Sequence, residues 1–166
     1  MGLGDGLAVD DSATATDHFQ RILLASEGRP IPAAAVERVL ELADPSGASA
    51  HVFTVARIHG VSFGLQTPGL RPTKQEWQDQ RDSIAKAVKR LKRQGVEAEG
   101  QVFGTRKATK RILEEAQKTG CQAIVMAADP DRNRFLGDFM WTQEPQRVRR
   151  KAKIPVFLVP DPDSAA

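Results

Sequence analysis

Five short apolar runs alternate along this chain with stretches of helical period, and that alternation constrains the fold more than any other feature. "RILLAS" (Arg21–Ser26) is stopped by Gly28 and Pro30, as a buried strand would be. "AHVFTVARI" (Ala50–Ile58), "QAIVMA" (Gln122–Ala127) and "IPVFLVP" (Ile154–Pro160) are of the same kind. "VEAEGQVF" (Val96–Phe103) instead alternates apolar and polar residues, which suits an edge strand. Between these runs, Val36, Val39, Leu40 and Ala43 recur at helical spacing, with Pro32 suited to a first helical turn. A longer helix is expected from about Thr73 to Gln94, with Trp77, Ile84, Val88 and Leu91 on one face and Gly95 closing it. "TRKATKRILEEAQKTG" ends at Gly120, and "QEPQRVRRKA" carries Pro145 in its first turn. Parallel neighbours need a crossover, so strands alternating with helices predict an α/β fold: one doubly wound, five-stranded parallel sheet with helices on both faces. No internal repeat is present, so the chain is read as one unit.

With 166 residues, 40% hydrophobic and 27% charged, the chain can bury a full single-domain core. "MGLGDGLAVDDSATATDH" is small, polar and acidic, and residues 1–18 are expected to form a tail. "DPDSAA" reads the same way, which puts the domain at 19–160 and a second tail at 161–166. Met1 to Gln20 has neither the basic nor the apolar region of a signal peptide, and no apolar run nears the roughly 20 residues of a membrane span. The expected location is cytoplasmic.

A lone cysteine, Cys121, excludes an internal disulfide and is read as a buried, reduced thiol. His18, His51 and His59 show neither helical pairing nor cysteine partners, so no metal site is expected. The net charge is +3, with basic clusters at Lys86 to Arg93, Arg106 to Arg111 and Arg147 to Lys153. Acidic residues are interleaved or nearby, so these read as solvated helix faces. No nucleic-acid motif accompanies them, and nucleic acid is not the expected partner.

In order and spacing these segments resemble the universal stress protein family over about Arg21 to Pro160. "RILLASEGRP" is similar to the family's opening strand and its Val-Asp-Gly-Ser turn. "GTRKATKRILEEAQKTGCQAIVMA" resembles its third helix and fourth strand, and "RRKAKIPVFLVP" its closing helix and strand. The resemblance implies a Rossmann-like strand order 3-2-1-4-5, with a ligand crevice where strands 1 and 4 part. It also implies a homodimer through the last strand, Ile154, Pro155, Val156, Phe157, Leu158 and Val159, an apolar edge that needs cover.

ATP-binding members of that family carry Gly-x-x-Gly, a nine-residue spacer, then Gly and Ser or Thr. Glycines let the backbone approach phosphate and donate N–H groups to it. This chain has Ala127, Ala128, Asp129 and Pro130 in that place, then a longer spacer ending near Thr142 and Gln143. Pro130 has no N–H, and Asp129 and Asp131 put negative charge where a triphosphate belongs. Glu27 stands where the family has Asp, and could hold a hydrated divalent ion on a longer arm. The candidate crevice is therefore Ser26, Glu27, Gly28, Ala127, Asp129, Arg132, Arg134 and Thr142, a degenerate nucleotide site with no cofactor, or at most weak ATP and magnesium. Arg132 and Arg134 could meet an anion in place of backbone cradling. The apolar stretch Phe135–Trp141 either fills the vacated crevice or is presented to a partner.

No Gly-x-Ser-x-Gly elbow, Ser/His/Asp set, HExxH or P-loop occurs, so no catalytic residues are assigned and no enzyme is expected. The leading expectation is a non-catalytic universal stress protein with a stress-response or regulatory role exerted through protein contacts. One alternative is a divergent nucleotide-binding member using Glu27, Arg132, Arg134 and Thr142. Another is a nucleic-acid-associated protein using the basic helix faces.

Overall fold

The computed structural model describes residues 17–57, 73–130 and 143–162. Within them the chain runs β1 (Arg21–Ser26), α1 (Ala33–Leu42), β2 (Ser49–Arg57), α2 (Lys74–Arg93), β3 (Glu97–Thr105), α3 (Ala108–Lys118), β4 (Ala123–Ala128), α4 (Glu144–Lys151) and β5 (Val156–Pro160). The five strands form one sheet in the order β3-β2-β1-β4-β5, every neighbouring pair parallel.

The central strands explain why the sheet is covered on both sides. In β1, Ile22 and Leu24 pack with α1, α2, Ala123 and Val125, while Leu23 and Ala25 pack with α3, α4, Ile124 and Met126. Ile22, Leu23, Leu24, Ile124, Val125 and Met126 are all fully buried. Burying such a side chain is worth about 1.5–3 kcal/mol, and successive residues of a strand face opposite ways, so neither face of these strands can be left in water.

Local chemistry sets the helix ends. Thr73 and Glu76 form a reciprocal capping box at the start of α2: the Glu76 N–H donates to Thr73 Oγ1 (3.1 Å) and the Thr73 N–H to Glu76 Oε2 (2.9 Å). Gly95 (φ +84) and Gly120 (φ +65) take the left-handed conformation just past α2 and α3. Pro145 lies in the first turn of α4 as expected, but Pro32 stands one residue before α1 in extended conformation. Its carbonyl accepts from the Ala35 N–H (3.1 Å), so Pro32 closes the turn from outside.

Cys121 is buried beside α3, as expected, with Thr119 Oγ1 3.2 Å from its Sγ. Burial pushes its thiol above the ordinary cysteine range, partly offset by the Thr119 hydroxyl. His51 packs on the same side of the sheet, its Nε2 3.0 Å from Glu115 Oε1, and the Arg111 guanidinium lies over the Phe103 ring. No helix of the described residues is long and apolar enough to cross a membrane.

Where α2 crosses β3 the two elements touch through glycine. A Cβ on Gly100 would collide with the Ile84 side chain, whereas one on Gly104 would sit 3.4 Å from the Trp77 ring. Gly100→Val should therefore destabilise the domain by about 1–3 kcal/mol in urea unfolding, and Ile84→Ala in the same chain should recover part of that loss. Gly104→Ala should cost less. Equal costs at the two glycines would mean that α2 does not rest on Gly100.

Candidate functional site at the carboxyl end of the sheet

The chain reverses winding direction between β1 and β4, and such a switch opens a crevice beyond the strand ends. The residue following each of the three neighbouring strands there is an acid: Glu27 after β1, Asp129 after β4 and Asp161 after β5. Ala128 and Pro160 are paired partners, so Asp129 and Asp161 leave the sheet side by side. The Asp161 N–H donates to the Ala128 carbonyl (2.9 Å), extending the ladder one residue past β5. Asp161 opens the acidic stretch read above as a tail; it is 5% exposed and forms part of this site.

One cation meets all three acids. Arg29 is fully buried; its Nε donates to Glu27 Oε1 (2.5 Å), and its Nη1 to Asp129 Oδ1 (3.1 Å) and Asp161 Oδ2 (3.4 Å). Its Nη2 is buried with no hydrogen-bond partner. With every group ionised, one positive charge faces three negative ones in a space shielded from water. Losing the guanidinium would leave the carboxylates mutually repelling and poorly solvated.

The loop that delivers Arg29 is tied at several points. Ser26 Oγ accepts from the Gly28 N–H (3.1 Å) and donates to the Arg29 carbonyl (2.5 Å). Gly28 has φ +128, a conformation that side-chain-bearing residues seldom adopt. From α2, Gln80 Nε2 donates to the Gly28 carbonyl (2.8 Å) and Ser83 Oγ accepts from the Ile31 N–H (3.0 Å). The turn is thus held by its own serine and by the neighbouring helix, which fixes where the guanidinium points.

Of the residues expected from sequence, Ser26, Glu27, Gly28 and Asp129 come together here. Ala127 sits close by as a strand residue, buried in β4 and paired with Val159. Only Asp129 and Pro130 lead out of the strand before the described residues stop. Arg132, Arg134, Thr142 and the Phe135–Trp141 stretch lie outside the described residues. Sequence reasoning missed Arg29 and Asp161. The signal was an acid directly after each of three adjacent parallel strands, which calls for a nearby cation, and the first of those loops contains an arginine.

The basic helix faces carry several local pairs: Arg90 with Glu37, Lys110 with Glu114, Arg111 with Glu114 and Glu115, and Arg147 with Glu144. At the far edge of the sheet, β5 has Phe157 buried against Phe19, with Val156, Leu158 and Val159 half-buried.

Residues 18–160 match the model of the universal stress protein family. No curated protein sequence matches the chain. Among solved structures it is similar to a universal stress family protein from Burkholderia pseudomallei, at 23% identity and TM-score 0.62, covering 86% of this chain and 96% of that one. It is similar also to a universal stress protein from Archaeoglobus fulgidus, at 17% identity and TM-score 0.62, covering 85% of this chain and 93% of the other. A third is the A. fulgidus universal stress protein in complex with dAMP, at 17% identity and TM-score 0.56, covering 84% and 96%. The strand order, the crevice at its switch point and the match over 18–160 lead to one conclusion: this chain belongs to the universal stress protein family.

Proposed function

We propose that this chain is a non-catalytic universal stress protein that acts in stress response through protein contacts, its nucleotide crevice closed from within by Arg29. The observation that carries the reading is the guanidinium bound to Glu27, Asp129 and Asp161 at the switch point. Among the described residues, a triphosphate entering there would face three carboxylates and one cation, which is already engaged. Magnesium fits no better: the Glu27 oxygen that would receive a hydrated ion accepts from Arg29 Nε, and no cluster of acids among the described residues is arranged to hold a metal. Ala127 and Pro130 add the lack of a glycine cradle and of a backbone donor.

A second reading is nucleotide binding through Glu27, Arg132, Arg134 and Thr142. What favours it is that similar folds bind adenine nucleotides: the A. fulgidus protein was solved with dAMP and another universal stress protein with cAMP. Calorimetric titration with ATP and magnesium, and with AMP alone, separates the two. The expected result is no binding heat at millimolar nucleotide. A dissociation constant near 10 µM, about −7 kcal/mol, would establish the second reading, and Arg132→Ala with Arg134→Ala should then weaken it.

Arg29→Ala should cost about 3–5 kcal/mol of stability in urea unfolding, because it leaves three carboxylates without their cation. A loss under 1 kcal/mol would remove the closed-crevice reading, since a plug that contributes nothing could be displaced by a ligand.

A homodimer through β5 belongs to the same proposal. This strand is at the sheet edge, and Val156, Leu158 and Val159 are only half-buried. Two copies paired edge to edge would cover those groups. Light scattering at tens of micromolar should give twice the 18.1 kDa chain mass; a monomer there would contradict it.

A further inference from the structure

The other edge of the sheet carries a different opportunity. β3 is nine residues long and, among the described residues, pairs only with β2. The Glu97 N–H donates to the Ala48 carbonyl (3.2 Å), so the odd-numbered residues of β3 turn their backbone groups toward β2. Backbone direction alternates along a parallel strand, so Ala98, Gly100, Val102 and Gly104 turn theirs to the open side. Natural edges are blunted by proline, by lysine or by shortness. β5 has Pro155 before it and ends on Pro160, whereas β3 contains neither proline nor lysine. Its charges, Glu97 and Glu99, both belong to the odd-numbered set that faces away from α2.

Beside this edge runs a groove of about 580 Å³ between β3 and α2. Trp77, Ile84, Val88 and Val102 supply apolar lining, and Arg81 and Lys92 stand over it. Both cations are exposed and make no ion pair among the described residues. Lys92 lies eleven positions beyond Arg81 on the helix, about 16 Å along the axis, the span of about five strand residues.

We propose that the β3 edge is a docking site for an extended peptide segment that adds to the sheet as a sixth strand. Side chains alternate across a strand, so every second residue of such a segment would enter the groove. The lining asks for apolar residues in the middle of that set, and Arg81 and Lys92 ask for acids at its ends. Alternate residues on the opposite face would lie near Glu99 and Gln101, and would be neutral and polar. The occupant is therefore an acid-flanked, alternating segment of a protein partner. This rests on the reading that the chain works through protein contacts, but its test does not involve the crevice.

The probe is a labelled seven-residue peptide with glutamate at both ends, valine third and fifth, and threonine between. Fluorescence anisotropy should show binding below 1 mM. Amide exchange at Ala98, Gly100 and Val102 should slow on binding by about tenfold or more. Arg81→Glu with Lys92→Glu alters exposed positions only; it should weaken this peptide about tenfold and strengthen one with lysine ends. Absence of binding at 1 mM, protection confined to other strands, or a reversal that changes neither peptide would each overturn the proposal. So would amides of β3 already protected in the free protein and exposed on dilution, because a second copy would then be the occupant. Failure in any of these ways leaves the nucleotide titration, and the closed-crevice reading it tests, unaffected.

Discussion

Strands β1 and β4 lie at the centre of the sheet with both faces in contact with apolar side chains, and the remaining architecture follows from the need to keep them dry. Ile22, Leu23, Leu24, Ile124, Val125 and Met126 alternate between the two cores. Each face therefore recruits its own pair of helices, α1 and α2 on one side and α3 and α4 on the other. Helices on both faces require the winding to reverse once, and the reversal falls between these two strands. The crevice at their carboxyl ends is thus a consequence of two-sided burial and not a separate feature added to the fold.

What occupies that crevice is a matter of charge. Three strands end in acids, and only a buried cation makes such a convergence tolerable. Arg29 supplies it from a turn locked by Ser26 and by Gln80 and Ser83 of α2. The same guanidinium closes the loop after β1, bridges the ends of β4 and β5, and places its own bulk at the switch point. Under the proposed reading, one residue accounts for both the integrity of the carboxyl end and the loss of a nucleotide cradle. The two sheet edges contrast with it. β5 is bounded by prolines and proposed to meet a second copy, while β3 has, among the described residues, no strand beyond it along its nine residues and lies beside Arg81 and Lys92.

Much of this was legible in the chain. The alternation of apolar runs gave the five strands and four helices, and helical spacing placed α2 at about Thr73 to Gln94. Alternating polar and apolar residues around Val96–Phe103 placed β3 at an edge. Ser26, Glu27, Gly28 and Asp129 were identifiable because the family resemblance located the loops that meet at the switch point. Arg29 was passed over because an arginine after a glycine turn looks like an ordinary solvated residue. Asp161 was passed over because its neighbours in sequence are polar and small.

Sequence by itself determined the class of fold, the register of buried residues along each strand and the family to which the chain belongs. These depend on periodicity and local chemistry, which are written in consecutive residues. Only the tertiary structure decided that Glu27, Arg29, Asp129 and Asp161 form one ion cluster, or that Gly100 lets α2 lie against the edge strand. Those contacts join residues up to 132 positions apart. They arise from which strand ends the sheet sets side by side, and no local pattern carries that information.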